Sequence, residues 1–256
     1  MMTESQIRAA ISEGRLVPFF QPIHHALTGD IQGCEVLARI KGVDTDDILT
    51  PDRFISIVED SDLLMPFTLT LIDSVRHFIK VTGMQFPYAF YVSFNVPVSI
   101  LCRPSLKIAC LNFMKTTPPE VLLVLEITER QKMDLCESDL LIVRDLKKIG
   151  ARLWLDDFGV GYSSAELLET GIFDGVKVPY SIIWSAYYDD ILRQGINERT
   201  LICNMLVIVE EVEDISQFRA AQDKNAILIQ GYYFSKALNT RDFFTYMNKI
   251  RAYSIK

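Results

Sequence analysis

The chain has 256 residues, 49% of them hydrophobic and 23% charged, with a formal net charge of −7. That acidity excludes a broad basic surface for gripping a nucleic acid polymer, while the length and apolar content suffice for one large core. No apolar run approaches the roughly 18 residues that a membrane span requires, so no membrane span is expected.

The opening MMTESQIRAAISEGR reads as a short helix capped by Thr3, without the charged-then-apolar order of a leader. Two β-rich runs follow, LVPFFQPIH (16–24) and IQGCEVLARI (31–40). PDRFISIVED then places Phe54, Ile57 and Val58 on one helical face. AFYVSFNV (89–96) and VLLVLEIT (121–128) are near-continuous apolar strands of the kind buried on both faces. CESDLLIVRDLKKIG predicts a helix with Ile142, Leu146 and Ile149 aligned, lysines in its last turn and Gly150 at its end. ARLWLDDF (151–158), GVKVPY (175–180) and LVIVEEV (206–212) continue the strands; Asp214 with Gln217 caps a helix carrying Phe218. AILIQGYYF (226–234) is the last strand, its Tyr232, Tyr233 and Phe234 reading as core, and NTRDFFTYMNKIRAY aligns Phe243, Met247 and Ile250 on a final helix.

Eight strands alternating mainly with helices, without a linker or repeat, fit a (β/α)₈ barrel, with a doubly wound sheet as the competing architecture. The five cysteines are scattered and form no CxxC pair, which predicts free thiols in a reducing cytoplasm. His24, His25 and His77 are too few and too ill-spaced for a zinc site and read as packing or surface residues.

The polar residues in this apolar pattern fall at strand ends. They are Glu35, Asn95, Glu126 and Glu129, then Asp156, Asp157, Lys177, Glu210 and Glu213, and finally Gln230. A barrel gathers such ends on one face. The pair Asp156–Asp157 is the sharpest case, because two unit charges roughly 4 Å apart repel by about 4 kcal/mol at an effective dielectric of about 20. Taken alone, the pair could cap a helix and Lys177 could be a surface lysine. Taken as a set, carboxylates plus an amide without Cys or His suit two Mg²⁺ or Mn²⁺ ions, one aspartate bridging them.

These residues resemble the EAL-domain family of cyclic di-GMP phosphodiesterases. QPIHHALTGDIQGCEVLARI carries "EVL" where the signature reads Glu-Ala-Leu, and FNV, LEITE, DDFGVGYSS, VEEVE and QGYYFSKAL follow in the family's order from about Phe20 to Leu238. The resemblance implies a modified TIM barrel with an antiparallel first strand, a single EAL domain over 1–256 with a helix at each end packed on the barrel. It also implies hydrolysis of cyclic di-GMP to pGpG with two Mg²⁺ or Mn²⁺ ions. By motif position, Glu35, Asn95, Glu126 and Asp156 would hold one metal, and Asp156, Asp157 and Glu210 the other. Lys177 would position the attacking water, Glu129 would anchor the loop after the aspartate pair, and Glu213 and Gln230 would support the site. Gln21 and Arg39 would hold the dinucleotide.

Two departures bear on rate: Pro179 stands where the family has an acid after the lysine, and Glu211 where it has glycine. They leave a slow enzyme, a cyclic di-GMP sensor and a docking module for a regulatory protein as expectations to separate. A homodimer is a further implication of the resemblance.

Overall fold

The structure, a computed structural model, describes residues 1–43, 47–128, 136–159, 168, 170–185, 205–224 and 226–254. Helix α1 (Glu4–Ser12) precedes β1 (Leu16–His25), β2 (Ile31–Lys41) and the two-residue β3 (Ile48–Leu49). Next come α2 (Ile55–Glu59), α3 (Leu64–Thr82), β4 (Phe90–Pro97), α4 (Val98–Leu101), α5 (Pro104–Thr116) and β5 (Val121–Thr128). The chain continues through α6 (Glu137–Lys148), β6 (Arg152–Leu155), β7 (Gly175–Pro179) and β8 (Leu206–Glu210). It ends with α7 (Ile215–Asp223), β9 (Leu228–Gln230), β10 (Leu238–Asn239) and α8 (Thr240–Ser254).

Strands β2, β4, β5, β6, β7, β8 and β9 are parallel neighbours in that order. The circuit closes through β1, which is antiparallel to both β2 and β9. The result is a closed eight-stranded mixed barrel, as the resemblance implied, and each of the eight apolar runs supplies one of its strands.

The two-residue period of a strand sorts this barrel into layers. Ile23, Val124, Trp154, Ile208 and Leu228 form one buried cluster, with Tyr91 packed against it. One inward step further along their strands stand Glu126, Asp156, Glu210 and Gln230, so an apolar floor underlies a polar ring. Gly175 makes room for that floor, since a Cβ there would lie 2.8 Å from the Trp154 ring.

The outer faces bury the helices. Thr3 caps α1 through a reciprocal pair with Gln6, and Ile7 and Ala10 go into the core. Helix α8 buries Phe243 and Met247, with Phe243 stacked on Phe20 of β1 at 4.6 Å. Each such side chain contributes about 1.5–3 kcal/mol of burial. Asp214 caps α7 by accepting from the Ser216 and Gln217 N–H groups, as expected.

Helix α6 departs from its predicted face, burying Val143 and Leu146 while Ile142 is only half-buried. LLIV is apolar at four successive positions, so spacing fitted two neighbouring faces equally well. Tyr232 and Tyr233, read as core, are 58% and 37% exposed, whereas Phe234 stacks on buried His24 at 4.0 Å. Cys34, Cys102, Cys110 and Cys136 are free thiols; Cys203 lies outside the described residues. Among the described residues, no helix is long and apolar enough to cross a membrane.

Candidate functional site

Each ring residue owes its position to strand register. Glu35 on β2 faces Ser93 on β4, Asn95 faces Glu126 on β5, and Pro179 on β7 faces Glu210 on β8. At the centre is Lys177, 2% exposed. Its Nζ lies 3.1 Å from Glu35, Glu126 and Glu210 and 3.3 Å from Asp156. Taken alone, this lysine could have been a surface residue; the barrel buries it among four carboxylates. Those four contacts fix the lysine's position from several strands at once.

Glu35 is the best-satisfied acid. Asn95 Nδ2 donates to it at 2.7 Å and Gln230 Nε2 at 2.6 Å, besides Lys177. Burial alone would raise its pKa, but Lys177 and these donors outweigh that and hold it below the ordinary value. The other acids go the opposite way. Burial, then Glu35, pushes Glu126 well up, and burial pushes Asp156 up and Glu210 to about 8, with Lys177 opposing in each case. For Lys177, burial works against the ammonium, but Asp156, Glu126, Glu210 and Glu35 together raise its pKa well above the lysine value. Four carboxylates around one ammonium leave a surplus of negative charge when all are ionised.

That surplus is where a cation fits. Asp156, Asp157 and Glu210 bring carboxylate oxygens within 4.8 Å of one another, a set able to hold a metal ion. Glu126 Oε1 is buried and accepts no hydrogen bond among the described residues. Asn95, having donated its Nδ2 to Glu35, keeps Oδ1 as an acceptor. The donor set is oxygen throughout, which suits hard divalent cations. Asp157 reaches the cluster from an exposed position with φ 50°, at the turn that ends β6.

The remaining predicted residues surround this ring. Gln21 on β1 is the register partner of Glu35 and lines a polar cavity with Gln230, Glu210 and Glu213. Glu213 is exposed at that rim, its backbone N–H donating to Gln217 Oε1 at 2.6 Å. Arg39 is half-buried, donates from Nη1 to the Ala38 carbonyl and stands 5.5 Å over the Phe19 ring. Glu129 lies outside the described residues.

Sequence reasoning did not single out the second cavity, of about 250 Å³, walled by Leu37, Pro51, Ile55, Leu64 and Phe67 and opening on Asn95, Asp156 and Asp157. PDRFISIVED reads as an ordinary amphipathic helix, and only the closed barrel sets Pro51 and Ile55 beside the acids.

Fold and site together define a mixed (β/α)₈ barrel with an oxygen-donor ring at the carboxyl ends of its strands. The chain belongs to the EAL domain family, whose profile matches residues 4–237. It is 31% identical over 248 residues to "Probable cyclic di-GMP phosphodiesterase PdeG" of Escherichia coli (strain K12), covering 93% of this chain and 48% of that protein. It is 28% identical to "Cyclic di-GMP phosphodiesterase PdeL" of the same strain, covering 92% of this chain and 66% of that one. The chain thus spans about half of PdeG. Among solved structures, an EAL domain protein from Listeria monocytogenes EGD-e matches with TM-score 0.76 and 25% identity over 100% of this chain and 99% of that one. The PaMucR phosphodiesterase in complex with c-di-GMP shares the fold at TM-score 0.79 and 22% identity, covering 93% and 98%.

Proposed function

We propose that this chain hydrolyses one phosphodiester bond of cyclic di-GMP, giving linear pGpG, with two Mg²⁺ or Mn²⁺ ions. The observation that carries the reading is the convergence of Glu35, Glu126, Asp156 and Glu210 around Lys177 at one end of the barrel. Glu35, Asn95, Glu126 and Asp156 would hold one ion, and Asp156, Asp157 and Glu210 the other. Two such ions, when bound, activate a water and stabilise charge on the attacking and leaving oxygens.

The protein's own groups do the rest. Asn95 and Gln230 fix the orientation of Glu35 through their side-chain N–H groups. Lys177, kept protonated by its acids, offers an ammonium donor beside the reacting water and holds the carboxylates together. Gln21 and Arg39 would hold the dinucleotide, Arg39 by pairing with a phosphate. The apolar cavity beside Asp156 and Asp157 offers a dry wall for part of the ligand. Glu213 supports the rim, and Glu129 is assigned to the loop after the aspartates. We place the reaction in the cytoplasm.

A specific observation favours a slow enzyme. Glu211 adds a carboxylate directly beside the ligand Glu210, in a left-handed backbone conformation. Were that neighbour to displace Glu210 by about 1 Å, the rate would fall around a hundredfold.

The test is incubation of the purified chain with cyclic di-GMP and Mn²⁺, followed by chromatography for pGpG. Product that requires Asp156 supports the reading. Tight binding in Ca²⁺ with no product in Mn²⁺ would make the chain a sensor, and neither would leave a docking module for a regulatory protein.

A further inference from the structure

Glu211 has no part in the ring, yet its surroundings are specific. It lines a cavity of about 550 Å³ together with Gln21, Tyr180, Ser181, Gln230 and Tyr232. That volume lies within the roughly 300–1,000 Å³ of small-molecule clefts. Glu35 and Glu210 belong to both the cavity and the acid ring, so a ligand held at the ring extends naturally into this space.

Acceptors are prominent in the cavity's lining beside the hydroxyl and amide groups of Tyr180, Ser181, Gln21 and Gln217. Glu211 and Glu213 bring exposed carboxylates. Gln230, 3% exposed, commits its Nε2 to Glu35 at 2.6 Å, and its Oε1 is buried and accepts no hydrogen bond among the described residues. That orphaned acceptor, on a residue that lines the cavity, would be satisfied by an N–H donor. Tyr232 adds an aromatic ring that is 58% exposed, with Lys236 Nζ 5.3 Å from its centre. Glu211 itself is held at φ 61°, a conformation a non-glycine residue keeps at a cost.

A flat ligand rich in N–H donors matches this set. Guanine presents N1–H and the N2 amino group side by side, and a carboxylate accepts both at once. Adenine presents the N1 lone pair at the same place, which a carboxylate repels. We propose that Glu211 is a base-selecting residue, its carboxylate accepting N1–H and N2–H from one guanine of cyclic di-GMP. This assignment rests on the phosphodiesterase reading and names how the same site recognises its substrate. The glycine that the EAL resemblance places at this position could not make the contact.

Calorimetric titration of the full chain in Ca²⁺ separates the two. The probes are cyclic di-GMP, cyclic di-AMP and the hypoxanthine analogue of cyclic di-GMP, which lacks the N2 amino group. The chain should bind cyclic di-GMP about ten- to a hundredfold more tightly than either of the others. E211Q keeps the shape at an exposed position; it should lose most of that preference and the penalty for removing the amino group. E211G should behave the same way. If the chain binds cyclic di-GMP and E211Q discriminates as well as the parent, Glu211 does not select the base, and the phosphodiesterase reading stands. If the parent binds none of the three, both fall together.

Discussion

Replacing Lys177 with methionine removes the charge at the centre of the ring while nearly conserving volume. At 3.1 Å and an effective dielectric of about 20, each ion pair supplies about 5 kcal/mol of gross attraction. Most of this offsets desolvation, so the measurable loss is smaller. Removing one partner of a buried pair costs about 3–5 kcal/mol, because the other charge stays behind. Here four carboxylates stay behind, and protonation limits the damage.

The sign follows from their direction of shift. Glu210 titrates near 8 in the folded chain against an ordinary 4.5, so the fold binds the proton more tightly than the unfolded chain does. Stability therefore rises as pH falls through 8 and is fully gained below 4.5. In EDTA at pH 8, K177M should melt about 10 °C below the parent, at roughly 2–4 °C per kcal/mol for a chain of this size. The gap should narrow at pH 5, and Mn²⁺ should restore most of it at pH 8 by replacing the lost charge. Thermal melts followed by circular dichroism, with and without metal, read all three. A K177M protein that unfolds in EDTA and folds in Mn²⁺ shows the same effect at its limit. Equal melting temperatures in EDTA at pH 8 would refute the claim that Lys177 holds the acids together.

Other residues give sharper, smaller effects. Glu211→Gly should stabilise the fold by about 0.5–1 kcal/mol, the left-handed cost of about 1–2 kcal/mol less the extra freedom of unfolded glycine. Glu211→Ala, which keeps a Cβ, should gain nothing, and a denaturant titration of the three proteins decides. Gly231→Ala should lose about 3 kcal/mol or more, since the new Cβ would lie 2.0 Å from the Val212 carbonyl oxygen, one backbone atom against another; a melt equal to the parent's would show that this close approach relaxes freely. His24, with Nε2 against Tyr246 Oη at 3.0 Å, is pushed down to about 4 by burial, which Asp30 only partly opposes. Its contribution is whole above about 6.5 and is lost as pH falls toward 4, so the parent should lose up to about 3 kcal/mol relative to His24→Phe over that range. Parallel loss in both proteins would clear His24 of the effect.

The strands were legible because burial on both faces writes itself as unbroken Val, Ile, Leu and Phe, and the acids stood out against that background. The ring residues were legible one by one, but their pairing was not. Glu35 stood out as a lone acid in an apolar strand; three donors reach it, from Asn95, Lys177 and Gln230. Those contacts span 60 to 195 residues of chain, and no local pattern encodes them. The backbone at Glu211 was hidden for a different reason. Glutamate has no preference for the left-handed region, so nothing in its type announces a turn that its neighbours impose. The short strands β3 and β10 escaped notice because two residues carry no period.

The reversed first strand also fixes the order in which the molecule can be made. Because β1 is antiparallel to β2, the two join by a tight hairpin that can form as soon as it leaves the ribosome. The other flank of β1 has to wait for β9, which begins at Leu228, about 200 residues later. At roughly 5–20 residues per second, translation leaves that flank open for about 10–40 s. Throughout that interval the hairpin carries an unpaired edge, the kind of surface that recruits a neighbouring chain. Gln230 meets Glu35 across this same seam, so the ring becomes complete only when the last gap in the wall is sealed. Completion of the acid ring and escape from aggregation therefore arrive in a single late step of synthesis.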